Sequence, residues 1–143
     1  MTQVILWTNN DGLLQMTIPT NELTIEEIKE KDTPSDSVIV DASVLPEETD
    51  KMFFGAWELI NSTVIVNIEK AKLLAIKIIN NFAKEESINR SSNNSIGIEN
   101  KLTDTEWLNL LTNARESIDN ATTTEEMFEE ITLIKNAIND NKS

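Results

Sequence analysis

The spacing of the apolar residues changes within residues 38–72, and this change constrains the fold more than any other feature of the chain. Before it, apolar residues come in short runs separated by turn-forming residues, a pattern typical of strands. After it, they recur every three or four positions, a pattern typical of amphipathic helices. The sequence therefore predicts an α+β protein. Its expected parts are a small antiparallel β-rich N-terminal part with one short helix (1–66), a long central helix (67–86), a polar linker (87–98) and a C-terminal αα-hairpin (99–143).

Turn and cap residues divide the N-terminal part. Asp11-Gly12 separates the first two apolar runs and favours a hairpin turn, because glycine adopts positive φ without strain. Thr24 and Glu27 are spaced as in a capping box, which predicts the start of the short helix. The predicted strands cover residues 4–7, 13–18, 38–40, 57–60 and 64–66.

The central helix carries apolar residues around most of its circumference, so we expect neighbours to cover it from more than one side. Its polar line consists of Lys70, Lys77 and Lys84, which a spacing of seven places nearly on one face. Such a line is usually the solvated edge of a helix. It could also contact an acidic neighbour, since the segments on both sides are strongly negative.

Residues 87–98 are polar and have no period, which predicts an exposed linker and a domain boundary. Beyond them, two capping-box patterns precede two apolar stripes with helical spacing. We therefore expect an αα-hairpin that packs with the central helix into a small bundle. The capping pairs are Thr103 with Glu106 and Thr123 with Glu126, and the stripes are Trp107, Leu111, Ala114, Ile118 and Met127, Ile131, Ile134, Ile138.

The composition excludes several classes of function. Cysteine and histidine are absent, which removes thiolate and imidazole zinc sites as well as the usual general base. The three glycines are isolated, so no phosphate-binding loop is present. We therefore expect a protein that is not an enzyme, with no catalytic residues, no cofactor and no metal site. The N-terminal residues look like neither a secretory signal nor a membrane span.

The chain is strongly acidic, because 25 acidic residues against 12 basic residues give a net charge of −13. Direct binding to nucleic acid or to an anionic membrane is therefore disfavoured, since a phosphate backbone is bound by neutralising it with Lys and Arg. The acidity can serve solubility alone, or it can form a surface that mimics nucleic acid and contacts a basic partner. The candidate phosphate surrogates are Glu26, Glu27, Glu30, Glu47, Glu48 and Asp50.

Residues 52–57 hold the densest aromatic cluster in a chain that is only 5% aromatic. Burial of one such side chain removes roughly 150–250 Å² from water, so Phe53, Phe54 and Trp57 need cover. A protein core, a subunit contact and a ligand pocket are the alternatives. We call these three residues the aromatic box.

Four motifs follow one another within residues 4–72. They are Ile25-Glu26-Glu27-Ile28, Ile39-Val40-Asp41-Ala42-Ser43-Val44-Leu45-Pro46, Phe53-Phe54-Gly55-Ala56-Trp57-Glu58 and Val66-Asn67-Ile68-Glu69-Lys70-Ala71-Lys72. In this order and spacing they resemble small tailed-phage and prophage proteins that are encoded with tail and tail-fibre genes. After Lys72 the chain departs from the pattern, because residues 73–76 are unusually apolar.

The resemblance implies a minor tail, fibre or baseplate component of a virion, or an assembly helper for one, that acts through protein–protein contacts. Its partners would be other phage structural proteins and further copies of the chain in a homo-oligomer. Its location would be the virion or, during assembly, the host cytoplasm. We expect the aromatic box and the three lysines of the central helix to carry contacts. The alternative function is an acidic phage inhibitor of a host nucleic-acid-binding or defence protein.

Overall fold

The computed structural model describes the backbone of residues 2–142 and the side chains of these residues except 48–50 and 142. The chain divides into two compact units, one that ends at Asn67 and one that begins at Ile68. The first contains two antiparallel sheets and a short helix, and the second contains three packed helices. The predicted α+β class is therefore confirmed.

A three-stranded antiparallel sheet organises the N-terminal unit. Leu6 in the central strand pairs with Met16 on one side and with Val38 on the other, which sets the two registers. The helix that connects the two outer strands packs on the central strand and buries Ile28. The strands are β1 (Gln3–Thr8), β2 (Leu14–Thr17) and β3 (Val38–Asp41) in the order β2-β1-β3, and the helix is α1 (Ile25–Asp32).

Side-chain oxygens hold the first turn and the first helix start where the sequence predicts them. Asn9 Oδ1 accepts hydrogen bonds from the backbone N–H groups of Asp11 (2.9 Å) and Leu13 (3.0 Å), so the loop between β1 and β2 closes on itself. Thr24 Oγ1 accepts a hydrogen bond from the backbone N–H of Glu27 (3.2 Å). This bond satisfies one of the backbone donors that a helix start leaves unpaired.

A second hairpin joins the last two predicted strands. Strands β4 (Trp57–Ile60) and β5 (Thr63–Val66) are antiparallel and are joined by Asn61 and Ser62. Both loop residues have positive φ, 50° and 67°, as a two-residue type I′ turn requires. The apolar core of this unit then forms between the two sheets. Its buried members are Val4, Leu6, Leu14, Val40, Trp57 and Val64.

Asp41 ends β3 and caps the short 3₁₀ turn that follows. Its Oδ1 accepts a hydrogen bond from the backbone N–H of Ser43 at 2.9 Å. This backbone hydrogen bond favours the charged carboxylate and lowers the pKa of Asp41, and a second contribution comes from the Ser43 side chain. Asp41 therefore acts as a turn former, as its position before Pro46 indicates.

The second unit is a three-helix bundle in which each helix packs on the other two. All eight residues of the two predicted C-terminal stripes are buried in it, together with Ala71, Ala75 and Ile79 from the central helix. Thr103 and Glu106 make both hydrogen bonds of the predicted capping box, each at 3.2 Å. The helices are α2 (Ile68–Ser95), α3 (Asp104–Asp119) and α4 (Thr124–Lys142).

The prediction of a polar linker over residues 87–98 is wrong. Helix α2 continues to Ser95, so most of that segment is helical. The apolar pattern stops near residue 85, but the buried face of the helix continues with Glu86 and Arg90 instead of aliphatic residues. Partners from other elements bind these two side chains, which keeps the helix packed where its sequence becomes polar.

The many apolar residues of α2 predict neighbours on more than one side, but part of its apolar surface is exposed. Ala71, Ala75 and Ile79 are buried, whereas Leu73 is 73% exposed. At about 100° per residue, Leu73 lies on the side of the helix that faces away from the bundle. Helices α3 and α4 both pack on α2 from the same side, so the opposite side of α2 is not covered by the bundle.

Candidate functional site

The aromatic box lies in the core of the N-terminal unit. Phe53 is fully buried and Trp57 is 3% exposed, while Phe54 is half-buried. The Phe54 and Trp57 rings are 5.0 Å apart at 54°, a tilted arrangement that aromatic pairs favour. Packing in the core therefore supplies the cover that these aromatic side chains need. A subunit contact at these three residues stays a prediction.

The lysine line lies on the face of α2 that points away from the bundle. Lys70, Lys77 and Lys84 are all exposed. Helical geometry places Lys77 almost opposite Ile79, which is fully buried. The exposed side chain of Ile88 continues this outer face beyond Lys84. The line is therefore exposed on the outer face of the helix, and a contact at these three lysines stays a prediction.

The acidic residues proposed as phosphate surrogates occupy the N-terminal unit. Glu26, Glu27 and Glu30 are exposed on α1, and Glu47 is exposed before the 3₁₀ segment Glu48–Ala56. The side chains of Glu48 and Asp50 lie outside the described residues.

An open groove runs between α2 and α3, and the sequence did not point to it. Its volume is about 770 Å³. The wall formed by α2 carries small side chains at every fourth position, and the wall formed by α3 carries Trp107, Leu108 and Leu111. Leu108 is 59% exposed, so the groove presents apolar surface to its surroundings. The small residues on α2 are Ala83, Ser87, Ser91 and Ser95.

Arg90 lies among the groove residues, and its side chain is only 7% exposed. Its Nη1 donates to the carbonyl oxygen of Leu102 at 2.8 Å and to Oδ1 of Asp104 at 3.0 Å. The guanidinium carbon is 5.6 Å from the centroid of the Trp107 ring, within cation–π range. One buried cation thus connects α2 to the start of α3.

Glu86 lies one turn before Arg90 and is 1% exposed. Its Oε1 is 3.5 Å from Arg90 Nε and accepts a hydrogen bond from Asn141 Nδ2 at 2.7 Å. Asn141 Oδ1 in turn accepts a hydrogen bond from the backbone N–H of Lys101 at 2.7 Å. The network therefore ties the middle of α2 to the end of α4 and to the loop before α3.

The hydrogen bonding of this ion pair is incomplete. Among the described residues, Arg90 Nε, Arg90 Nη2 and Glu86 Oε2 have no hydrogen-bond partner, although each atom is buried. A buried polar group without a partner costs about 1–3 kcal/mol, and more when it is charged. Arg90 Nε is 3.5 Å from Glu86 Oε1, so the two side chains attract each other as an ion pair although their geometry is too loose for a hydrogen bond.

Charged side chains of both signs lie at or near the groove. Arg115 follows Leu111 by one helical turn and donates to Asn80 Oδ1 of α2 through Nη2 at 2.8 Å. Lys84 lies one turn before Ser87 and is exposed on the outer face of α2, and it is not among the residues that line the groove. Of the described residues that line the groove, Asp104 is the acidic one.

A second cleft lies between α3 and α4 and has the opposite charge. Its volume is about 500 Å³. Four carboxylates line it together with polar side chains, and three of them stand in the first turns of α4, where the helix dipole favours negative charge. The carboxylates are Glu116, Glu126, Glu129 and Glu130.

Among the side chains that the structure describes, no group of three or more Asp and Glu residues is arranged to hold a metal ion. No helix among these residues is long and apolar enough to cross a membrane. The chain matches no family model, and no curated protein or solved structure is significantly similar to it.

Sequence reasoning missed Glu86 and Arg90 because they stand where the apolar period fades. One signal was available. Glu86 and Arg90 are spaced i, i+4, and this spacing pairs side chains on a helix and would have extended α2 beyond its predicted end. The burial of the pair depends on α3 and α4 and could not be read from the spacing.

Proposed function

We propose that the chain is a phage virion-associated structural or adaptor protein, or an assembly helper for one, that acts through protein–protein contacts and not as an enzyme. The groove between α2 and α3 carries this proposal. It places the exposed side chain of Leu108 beside Trp107 and Leu111, so it offers apolar surface for a contact.

The sequence motifs over residues 4–72 support the phage assignment. They resemble proteins encoded with tail and tail-fibre genes, and such proteins serve in particles or in their assembly. The partners proposed on this basis are other phage structural proteins and further copies of the chain. The location proposed is the virion or the host cytoplasm during assembly.

Two measurements test the proposal. Mass spectrometry of purified particles should detect the chain, or pull-downs from cells that assemble particles should recover a tail or fibre protein. Light scattering after size-exclusion chromatography should show a stable multimer. A monomer that is absent from particles and binds no phage structural protein would contradict the proposal.

A second candidate function is the acidic inhibitor of a host nucleic-acid-binding or defence protein. The exposed carboxylates of Glu26, Glu27 and Glu30, all on α1, favour it. Such binding should weaken steeply with salt, because exposed charges are screened within about 8 Å at physiological ionic strength. Replacement of the three glutamates by glutamine should then abolish binding to the basic host protein. Unchanged binding would exclude this surface.

A further inference from the structure

The outer face of α2 is positively charged, although the chain as a whole carries a net charge of −13. The lysine line is exposed along this face, and Leu73, between its first two lysines, is 73% exposed. At about 100° per residue, the acidic residues of the helix lie to the sides of this face or on the buried side. They are Glu69, Glu85 and Glu86. A partner with negative charge therefore fits this face.

The outer face of α4 has the complementary character. Glu126, Glu129 and Leu133 are exposed on it, and spacings of three and four residues place them on one side of the helix. A shallow depression of about 390 Å³ opens beside Leu133, and the half-buried ring of Phe128 contributes to its lining. This face therefore offers carboxylates around an apolar depression, which fits a surface of lysines around a leucine.

We propose that copies of the chain associate through these two faces, so that α2 of one copy lies antiparallel to α4 of the next. Lys77 then lies opposite Glu129, and Leu73 lies opposite Leu133 and fills the depression. Both contacts form together, because Leu73 precedes Lys77 by four residues and Leu133 follows Glu129 by four residues. The inference rests on the proposed function, because it assigns the surfaces through which copies of an adaptor protein associate.

The two faces belong to different copies in this contact. Within one copy, α2 and α4 pack through their opposite sides, which bury Ala75 on α2 and Ile131 on α4. The side chains of Lys77 and Glu129 form no ion pair within the part of the chain that the structure describes. A second copy is the assigned occupant, because charge, apolar side chain and spacing all match between the two faces of this one chain.

The contact is heterologous, since the two faces differ. Each copy presents its α2 face to one neighbour and its α4 face to another, which gives a ring when the rotation closes and an open chain when it does not. Exposed ion pairs contribute little free energy but strongly disfavour wrong partners. The leucine contact therefore supplies most of the affinity, and the charges fix orientation and register.

Sedimentation velocity of the full-length chain tests the contact at about 0.15 M salt, where charges of separate copies are screened beyond about 8 Å. The mean mass should rise with concentration, with a dissociation constant below about 1 mM. Lys77→Glu places a glutamate opposite Glu129, and Glu129→Lys places a lysine opposite Lys77. Each single variant should associate at least about tenfold more weakly than the parent, because like charges then face each other.

Two rescue experiments separate the contact from an effect on folding. The double variant Lys77→Glu with Glu129→Lys exchanges the charges and should regain the parent affinity to within about threefold. An equimolar mixture of the two single variants should also associate, because each contact between unlike variants joins opposite charges. Lys31→Glu, at an exposed lysine on α1, is the matched control and should change the affinity less than about twofold.

Cross-linking tests the antiparallel register. The chain contains no cysteine, so introduced cysteines report on the contact alone. Oxidation of the variant Leu73→Cys with Leu133→Cys should give a ladder of covalent multimers, because a disulfide requires its two residues to lie close together. Leu73→Cys with Leu108→Cys, at a leucine that is 59% exposed on α3, is the control and should give much less cross-linking.

The inference is overturned by a chain that stays monomeric up to about 1 mM, or by a mixture or double variant that fails to associate. Equal cross-linking of the two cysteine pairs overturns it as well. If the parent forms a multimer that the charge reversals leave intact, the inference fails alone. If the reversals and rescues behave as expected but the chain is absent from particles and binds no phage structural protein, the proposed function fails alone.

Discussion

The aromatic box and the Arg90 network are both buried, yet they differ in what remains unsatisfied. Phe53 and Trp57 are apolar side chains in an apolar core, so their burial completes their interactions. Arg90 and Glu86 are charged, and three of their buried atoms have no hydrogen-bond partner among the described residues. Burial therefore stabilises the aromatic box, whereas it imposes a desolvation cost on the ion pair in the helical unit.

The largest effect is expected in the aromatic box. Trp57→Ala should destabilise the N-terminal unit by about 3–5 kcal/mol, because it removes a large core side chain and leaves a cavity. Urea denaturation followed by circular dichroism measures this. Ile65→Ala, at a position that is 43% exposed on β5, is the control and should cost less than about 0.5 kcal/mol. A small loss in the Trp57 variant would mean that the core is not centred there.

Breaking the buried ion pair should have the next largest effect. Arg90→Met should destabilise the helical unit by about 3 kcal/mol, because it leaves the Glu86 carboxylate buried without its cation. The double variant Glu86→Leu with Arg90→Met should recover stability to within about 1 kcal/mol of the parent, since an apolar pair carries no desolvation cost. Urea midpoints of the single and double variants give the comparison. If the double variant is no more stable than the single variant, the charged network stabilises the fold more than an apolar pair does, and the expectation is wrong.

The start of α3, which positions Asp104 beside Arg90, should show a smaller effect. Thr103→Ala removes the side-chain half of a capping box and should cost about 1 kcal/mol in the helical unit. Thr105→Ala, at an exposed position in the first turn of the same helix, should have little effect. Thermal unfolding compares the two variants. If both variants are equally stable, the Thr103 cap does not contribute measurably to the stability of this helix.

The smallest effect concerns Asp41 at the end of β3. The backbone hydrogen bond from Ser43 lowers the pKa of Asp41 in the folded state, so the stability it contributes is present above the unfolded-state pKa and is lost as pH falls through the folded value. A stability profile of the parent below about pH 4 should therefore fall slightly more than that of Asp41→Asn. Identical slopes for the two proteins would contradict this assignment.

Local patterns predicted the parts of the fold that local interactions create. The Asp11-Gly12 turn, the Thr24 and Thr103 caps and the two C-terminal stripes all lie where the sequence indicates. Each depends on residues within a few positions of one another. The end of α2 did not follow from its pattern, because Glu86 in its C-terminal part is bound by Asn141, which is 55 residues away in sequence.

The candidate site shows the same division. The sequence predicts the lysine line from a spacing of seven residues, and the structure adds that the line faces away from the bundle. The sequence does not predict the groove, because the groove forms only when α2, with Ser87 and Ser91, lies beside Leu108 on α3. Serines in a polar segment look like loop residues until a second helix is placed beside them.

The sequence by itself determined the α+β class, the turns, the caps and the apolar faces, because these follow from backbone preferences and from the periods of strands and helices. Only the tertiary structure decided that Glu86 and Arg90 are buried and that a groove opens beside them. The physical reason is that burial depends on which helices approach one another. A charge that would be solvated on an isolated helix becomes an incompletely bonded group when α3 and α4 pack against it.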